Sequence, residues 1–450
     1  MPDDGLPPRR RRWAVASVLL AVGMSTLLAA TVNVALPGMA RDLGVEPAAA
    51  VWVINAYQLA VVATLLPFAS LGDSIGHRRV FFGGLVVLAL ASAACALATS
   101  LPVLVAARLV QGIGGAAAMS VQPALMRFSY PASMLGRAIA LTAMTVAVSM
   151  AAGPSVAAAV LAVAPWPWLF AVAVPAALVA LAMGVPTLPR DAEAGGPARG
   201  RFDPVAAALN AAAFGLVFAG MDALADRPVL AVLALAGGFG AGFLLLRRQA
   251  NATVPLLPID LLRIPAIAVS VAASVCIFAG QMAAFIALPF LLHDVLGRNQ
   301  VETGLLITPW PIAVALMAPL VGRMADRVST ALLCALGGVV MGAGLVPLAA
   351  APEALPTAVF ATAVAVSGVG FGLFQTPNNR AMLGAAPRAR SGGAGGMQGT
   401  ARLTGQMLGT TLMALTFRIM PEAAPVAGLV LATGFSLAAG AISLARRGAS

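Results

Sequence analysis

Apolar residues run through this chain in long stretches of about 20, each ended by a short connection rich in Arg, Gly or Pro. A helix of that length spans a hydrocarbon core of about 30 Å. Fourteen such stretches predict helices over 13–36, 50–70, 80–99, 102–126, 138–163, 168–186, 204–221, 229–246, 266–291, 302–321, 331–350, 354–376, 397–419 and 425–445. The seventh and thirteenth are the most dilute, because they carry polar or small residues. The first run is too long for the apolar core of a secretory signal, so it is expected to stay as a membrane helix.

Two connections exceed the rest. Residues 187–203 hold Pro, Gly, Asp, Glu and Arg and read as a linker, and residues 247–265 are Pro-rich and basic. The chain therefore divides into a basic tail (1–12), six helices (13–186), a linker (187–203), an inserted helix pair (204–246), a second linker (247–265), six more helices (266–445) and a short tail (446–450). The expected fold class is an all-α integral membrane protein of two six-helix bundles plus the inserted pair.

The charges test this count. All 27 basic residues are Arg. With the first residues inside, twenty-one arginines fall on the cytoplasmic side and four on the outer side, while Arg108 and Arg402 lie within spans. That asymmetry is the positive-inside bias, and it puts both ends of the chain in the cytoplasm.

Composition narrows the function. Only 10% of residues are charged and 60% are hydrophobic, against roughly 25% charged in a soluble domain. The net charge of +11 is spread over short loops, with no groove-reading module, so nucleic acid is excluded as a partner. Cys95, Cys276 and Cys334 are isolated within apolar runs and support neither a zinc site nor a disulfide framework. The two histidines, His77 and His293, sit in connections, so the spans lack the clustered His, Cys or carboxylates of an enzyme. No ring of charge marks a channel pore either.

A short acidic-basic loop occurs twice. Ala69-Ser-Leu-Gly-Asp73-Ser-Ile-Gly76-His-Arg78-Arg79 joins the second and third runs, and Gly322-Arg323-Met-Ala-Asp326-Arg327 joins the second and third of the last six. Gln111-Gly112-Ile-Gly114 in the fourth run is echoed by Ser367-Gly368-Val-Gly370 in the twelfth, in the same register. Two related bundles rocking about a shared midline are the architecture of a secondary transporter.

With these motifs, the chain resembles the major facilitator superfamily, in its fourteen-helix branch of drug:proton antiporters. The resemblance also rests on Asn33-Val-Ala-Leu-Pro37, Trp52-Val-Ile-Asn55-Ala-Tyr57, Arg108-Leu-Val-Gln111, Gly153-Pro154 and Pro377-Asn378-Asn379-Arg380. It implies the major facilitator fold and a multi-pass protein of the cell inner (cytoplasmic) membrane. The expected partners are the bilayer, protons and a small amphiphilic substrate; a monomer is the expectation, and the sequence itself does not fix the oligomeric state. No cofactor is implied beyond the proton gradient as energy source.

The resemblance assigns roles. Asp73, Gly76, Arg78, Arg79, Gly322, Asp326 and Arg327 would clamp the two bundles on the cytoplasmic face. Arg108, inside the hydrocarbon where an Arg costs roughly 2.5–3.5 kcal/mol, would serve proton coupling or the cavity. Gly153 and Pro154 would form the antiporter kink. Asn33, Gln111, Met119, Gln281, Trp310 and Gln375 would line the substrate cavity. Departures are plain: Ala69 and Ser329 replace glycines of the loop, and Ser149, Ala157 and Ala158 replace those around Pro154. The segment Leu27-Leu-Ala-Ala-Thr-Val-Asn33 holds no carboxylate, and none lies in the middle of any span. The expected function is proton-coupled efflux of amphiphilic drug-like compounds by alternating access. The alternative is an exporter or uniporter of a specific endogenous metabolite.

Overall fold

The computed structural model describes residues 5–131, 134–190, 202–224, 227–249, 259–324, 327–350, 352, 355–386 and 391–445. Fourteen long helices follow one another: α1 Pro8–Asp42, α2 Pro47–Ile75, α3 His77–Ala96, α4 Leu101–Ser129, α5 Leu135–Val163, α6 Pro167–Thr187, α7 Pro204–Ala223, α8 Pro228–Gln249, α9 Pro265–Phe290, α10 Gln300–Met324, α11 Thr330–Ala350, α12 Thr357–Ala385, α13 Ser391–Ile419 and α14 Ala424–Leu444. Most begin with a Pro in the first turn, where its missing N–H costs nothing and its fixed φ suits the helix. Several outrun their apolar stretch. α1 has 35 residues, more than a bilayer core requires, and begins among the arginines Arg9–Arg12.

Thirteen helices are long and apolar enough to cross a membrane. α13 is not among them, for it is rich in Gly, Thr and Gln. Its surroundings explain the composition: α13 packs against α9 and against α2, so it shows little surface to lipid.

The two halves repeat each other contact for contact. α2 packs on α4, α3 on α4, α1 on α5 and on α6, and α3 on α6; in the second half α10 packs on α12, α11 on α12, α9 on α13 and on α14, and α11 on α14. Between the halves, α1 meets α9, α2 meets α13, and α5 meets α10. The inserted pair lies beside this seam. α7 packs on α8, on α2 and on α13, and the Asn210 side chain donates to the Ala63 carbonyl of α2 at 2.7 Å.

Arginine-rich helix ends gather on one side. Arg10 Nε donates to the Thr187 carbonyl at 2.9 Å, and Arg78 reaches the Leu188 and Val185 carbonyls at 3.1 and 2.5 Å. Arg11 lies over the Tyr130 ring. The start of α1, the α2–α3 turn and the ends of α4 and α6 thus share one face of the molecule. On the same side, Asp203 caps α7 by accepting from the Val205 and Ala206 N–H groups, both at 3.1 Å, and it takes Arg248 Nε from the end of α8 at 2.8 Å. The Arg248 hydrogen bond, helped by those N–H groups, holds the Asp203 carboxyl below the usual carboxylate range.

Candidate functional site

The first loop turns on Gly76, whose φ of 110° lies in the region that a side chain disfavours. Asp73 does not pair with Arg78 or Arg79 there. Its carboxylate meets His77 Nε2 at 3.1 Å, one helical turn on, while the His77 ring stands edge-on to Phe128 of α4. The arginines instead cap carbonyls: Arg78 bonds those of α6, and Arg79 bonds that of Ile75 at 3.3 Å. A guanidinium at a helix C-terminus satisfies orphan carbonyls and favours the dipole, which explains the choice. In the second loop Gly322 lies inside α10, Arg327 is exposed in the following turn, and Asp326 lies outside the described residues.

Arg108 sits on α4 with 1% of its surface exposed. No carboxylate reaches it among the described residues. Its charge is met by neutral groups: Nε donates to the Val53 carbonyl of α2 at 2.8 Å, and Nη1 donates to Gln111 Oε1. The guanidinium also lies 4.3 Å from the centre of the Tyr57 ring and 5.7 Å from that of Phe170. Gln111 passes the chain on, donating through Nε2 to Ser92 Oγ at 2.7 Å, and Ser92 in turn donates to the Leu88 carbonyl. Charge-assisted hydrogen bonds and desolvated cation–π contacts, each worth about 2 kcal/mol, offset the expense of an Arg in hydrocarbon. Gln111 is fully buried inside the first bundle, so its amide serves this network and not an open cavity.

Gly112, beside this network, lets α2 and α4 touch. A Cβ there would stand 2.5 Å from the Tyr57 carbonyl. Gly368 of α12 does the same in the second half, where a Cβ would collide with the Trp310 carbonyl of α10. Gly114 and Gly370 repeat the device against α3 and α11.

Gly153 and Pro154 lie within a continuous α5 and join the halves. A Cβ on Gly153 would press on Ala30 of α1, the Pro154 carbonyl faces Gly304 of α10, and Ser155 and Thr308 hydroxyls bond at 2.9 Å.

Along the seam, polar atoms are buried without a protein partner among the described residues. They include Asn33 Oδ1 on α1, Asn55 Oδ1 and Gln58 Oε1 on α2, Gln281 Oε1 on α9, Thr303 Oγ1 and Trp310 Nε1 on α10 and Arg402 Nε on α13. Gln58 reaches across to Met282 of α9, and Trp310 packs on Phe285 of the same helix. Met119 and Gln375 are half-buried on α4 and α12. Sequence reasoning missed Asn55, Gln58 and Tyr57 as site residues. A polar side chain in an otherwise apolar run was the available signal.

A separate cleft of about 430 Å³ opens between α1, α5 and α6, lined by residues such as Met24, Leu27, Leu169 and Val172. Of its three hydroxyls, those of Thr31 and Thr145 donate to the Leu28 and Leu141 carbonyls, and the third belongs to Ser149. None of the seam residues with unpartnered polar atoms lines it.

Comparison with known proteins agrees with this geometry. The chain is 46% identical over 414 residues to the uncharacterized transporter YebQ of Escherichia coli, covering 92% of this chain and 90% of that one. It is 31% identical over 422 residues to the multidrug efflux pump LfrA of Mycolicibacterium smegmatis, covering 92% and 83%. A crystal structure of the peptide transporter POT has the same fold, with a TM-score of 0.72 at 16% identity over 96% of this chain and 94% of that one. The family model described as Major Facilitator Superfamily matches residues 18–410, and the chain is a multi-pass membrane transporter that belongs to that superfamily.

Proposed function

We propose that this transporter exports amphiphilic, drug-like compounds across the cytoplasmic membrane by alternating access, with the proton gradient as its energy source. The row of unpartnered polar atoms along an otherwise apolar seam carries the reading. Such atoms are expensive to leave bare in a dry interior, and a passing ligand with an apolar body and a few polar groups satisfies them. The two bundles meet through α1–α9, α2–α13 and α5–α10, which are the contacts that rocking would make and break. Similarity to a multidrug efflux pump supports the substrate class.

Asp73 and the cation-capped turn around Gly76 act in this reading as a brace at the arginine-rich face, and Gly153–Pro154 as the hinge contact of α5 with α1 and α10. Arg108 holds α2 and α4 in register for the movement. Efflux of a lipophilic dye from energised cells expressing the chain is the test. Efflux above a vector control that a protonophore abolishes is expected. Efflux indifferent to a protonophore would assign a uniporter, and none from well-inserted protein would remove the amphiphile reading.

A further inference from the structure

We propose that the exported molecule carries a negative charge, and that Arg402 on α13 is the group that receives it. The proposal rests on the exporter reading above and names its substrate class.

Among the described residues, every Asp and Glu lies within three residues of a helix end or in a connection. Two arginines, Arg108 and Arg402, stand well inside helices. Among the described residues, the helix interiors therefore carry positive charge with no acidic counterpart.

The two arginines differ in how their charge is used. Arg108 is fully enclosed, and its hydrogen bonds end on Val53 and Gln111 with aromatic faces on either side. Arg402 is half-buried, and its Nε is buried without an acceptor among the described residues. Its neighbours Leu403 and Met407 pack with Tyr57, Val61 and Val62 of α2 and with Phe218 of α7. Tyr57 lies within electrostatic reach of both guanidiniums. Arg402 thus stands at the α2–α13 part of the seam, on the helix that meets the one carrying Asn55 and Gln58, whose side-chain oxygens are buried without a partner among the described residues.

A guanidinium with an open donor in a low-dielectric seam is a receptor for a carboxylate, sulfonate or phosphate. The same two positive charges repel a cation, and no interior carboxylate offers one a partner. The apolar wall around Arg402 suits the body of an amphiphile. A negative-inside potential drives such an anion outward, so the field and the site act in the same direction.

Two dyes of one ring system test this in cells expressing the full chain: fluorescein, an anion, and a cationic rhodamine. Fluorescein export is expected to exceed the vector control. Arg402→Gln should lower it about tenfold or more, the loss of one charge-assisted bond, while Arg402→Lys keeps most of it. Purified wild type should gain thermal stability from fluorescein, and Arg402→Gln of unchanged melting temperature should not. Rhodamine export that Arg402→Gln leaves intact, with fluorescein retained in the cell, would overturn the anion proposal and leave the exporter reading standing. Export of neither dye by well-inserted protein would overturn both.

Discussion

In each half, the fourth helix of the bundle presses a glycine against the carbonyl of an aromatic residue on the second. Gly112 meets Tyr57 in the first half, and Gly368 meets Trp310 in the second. One turn before the glycine the halves part. The first carries Arg108, caged by Tyr57, Val53 and Gln111, and the second carries Val364, buried among apolar groups. Backbone approach is thus common property, set by the size of glycine, while at this position of the helix pair only the first half carries a charge. The helix pair is thus symmetric in its backbone contact and asymmetric in the side chain one turn away.

The largest effects should come from the shared frame. Gly112→Leu and Gly368→Leu should each separate a helix pair, with overpacking of about 1–3 kcal/mol or more, and lower the yield and melting temperature of detergent-purified protein alike. A variant of either kind that melts like wild type would break the equivalence of the halves.

Next in size is the loop. Asp73→Asn should reduce transport severalfold at unchanged membrane level, because the carboxylate that holds His77 across the α2–α3 turn is gone. Asp326→Asn should do less, since Ser329 stands where the second loop lacks its glycine. Transport assays at matched expression compare them, and equal losses would make the two loops equivalent after all.

The smallest effect belongs to the clip of the inserted pair. Asp203 is lowered by Arg248, and a carboxyl lowered on folding adds stability above its unfolded pKa and loses it as pH falls through the folded value. Acidification below about pH 4, the ordinary aspartate range, should therefore erode the melting temperature of wild type more than that of Asp203→Asn. Parallel melting curves across pH would contradict this.

Much of the frame was legible in the sequence. Apolar run length is a direct reading of the bilayer, and the duplicated glycines sit in one register because each half must close the same helix pair. The seam was less legible. Gln111 reads as a cavity residue from its place in an apolar run, yet only the packed helices show that Ser92 and Arg108 take up its amide. Asp73, near a helix end and beside two arginines, could by sequence accept backbone N–H groups or pair with Arg78 or Arg79, but the helix places His77 on its face and turns the arginines to the carbonyls of α6 and Ile75. Rotation of one helix about its axis, which decides such partners, is set by neighbours distant in sequence.

The most direct test of the asymmetry is efflux measured for Arg108→Ala and Val364→Ala side by side, at equal amounts of inserted protein, with and without a protonophore. The account predicts protonophore-sensitive efflux from wild type and from Val364→Ala, and none from Arg108→Ala. Wild-type efflux from Arg108→Ala, or equal loss in both variants, would contradict it.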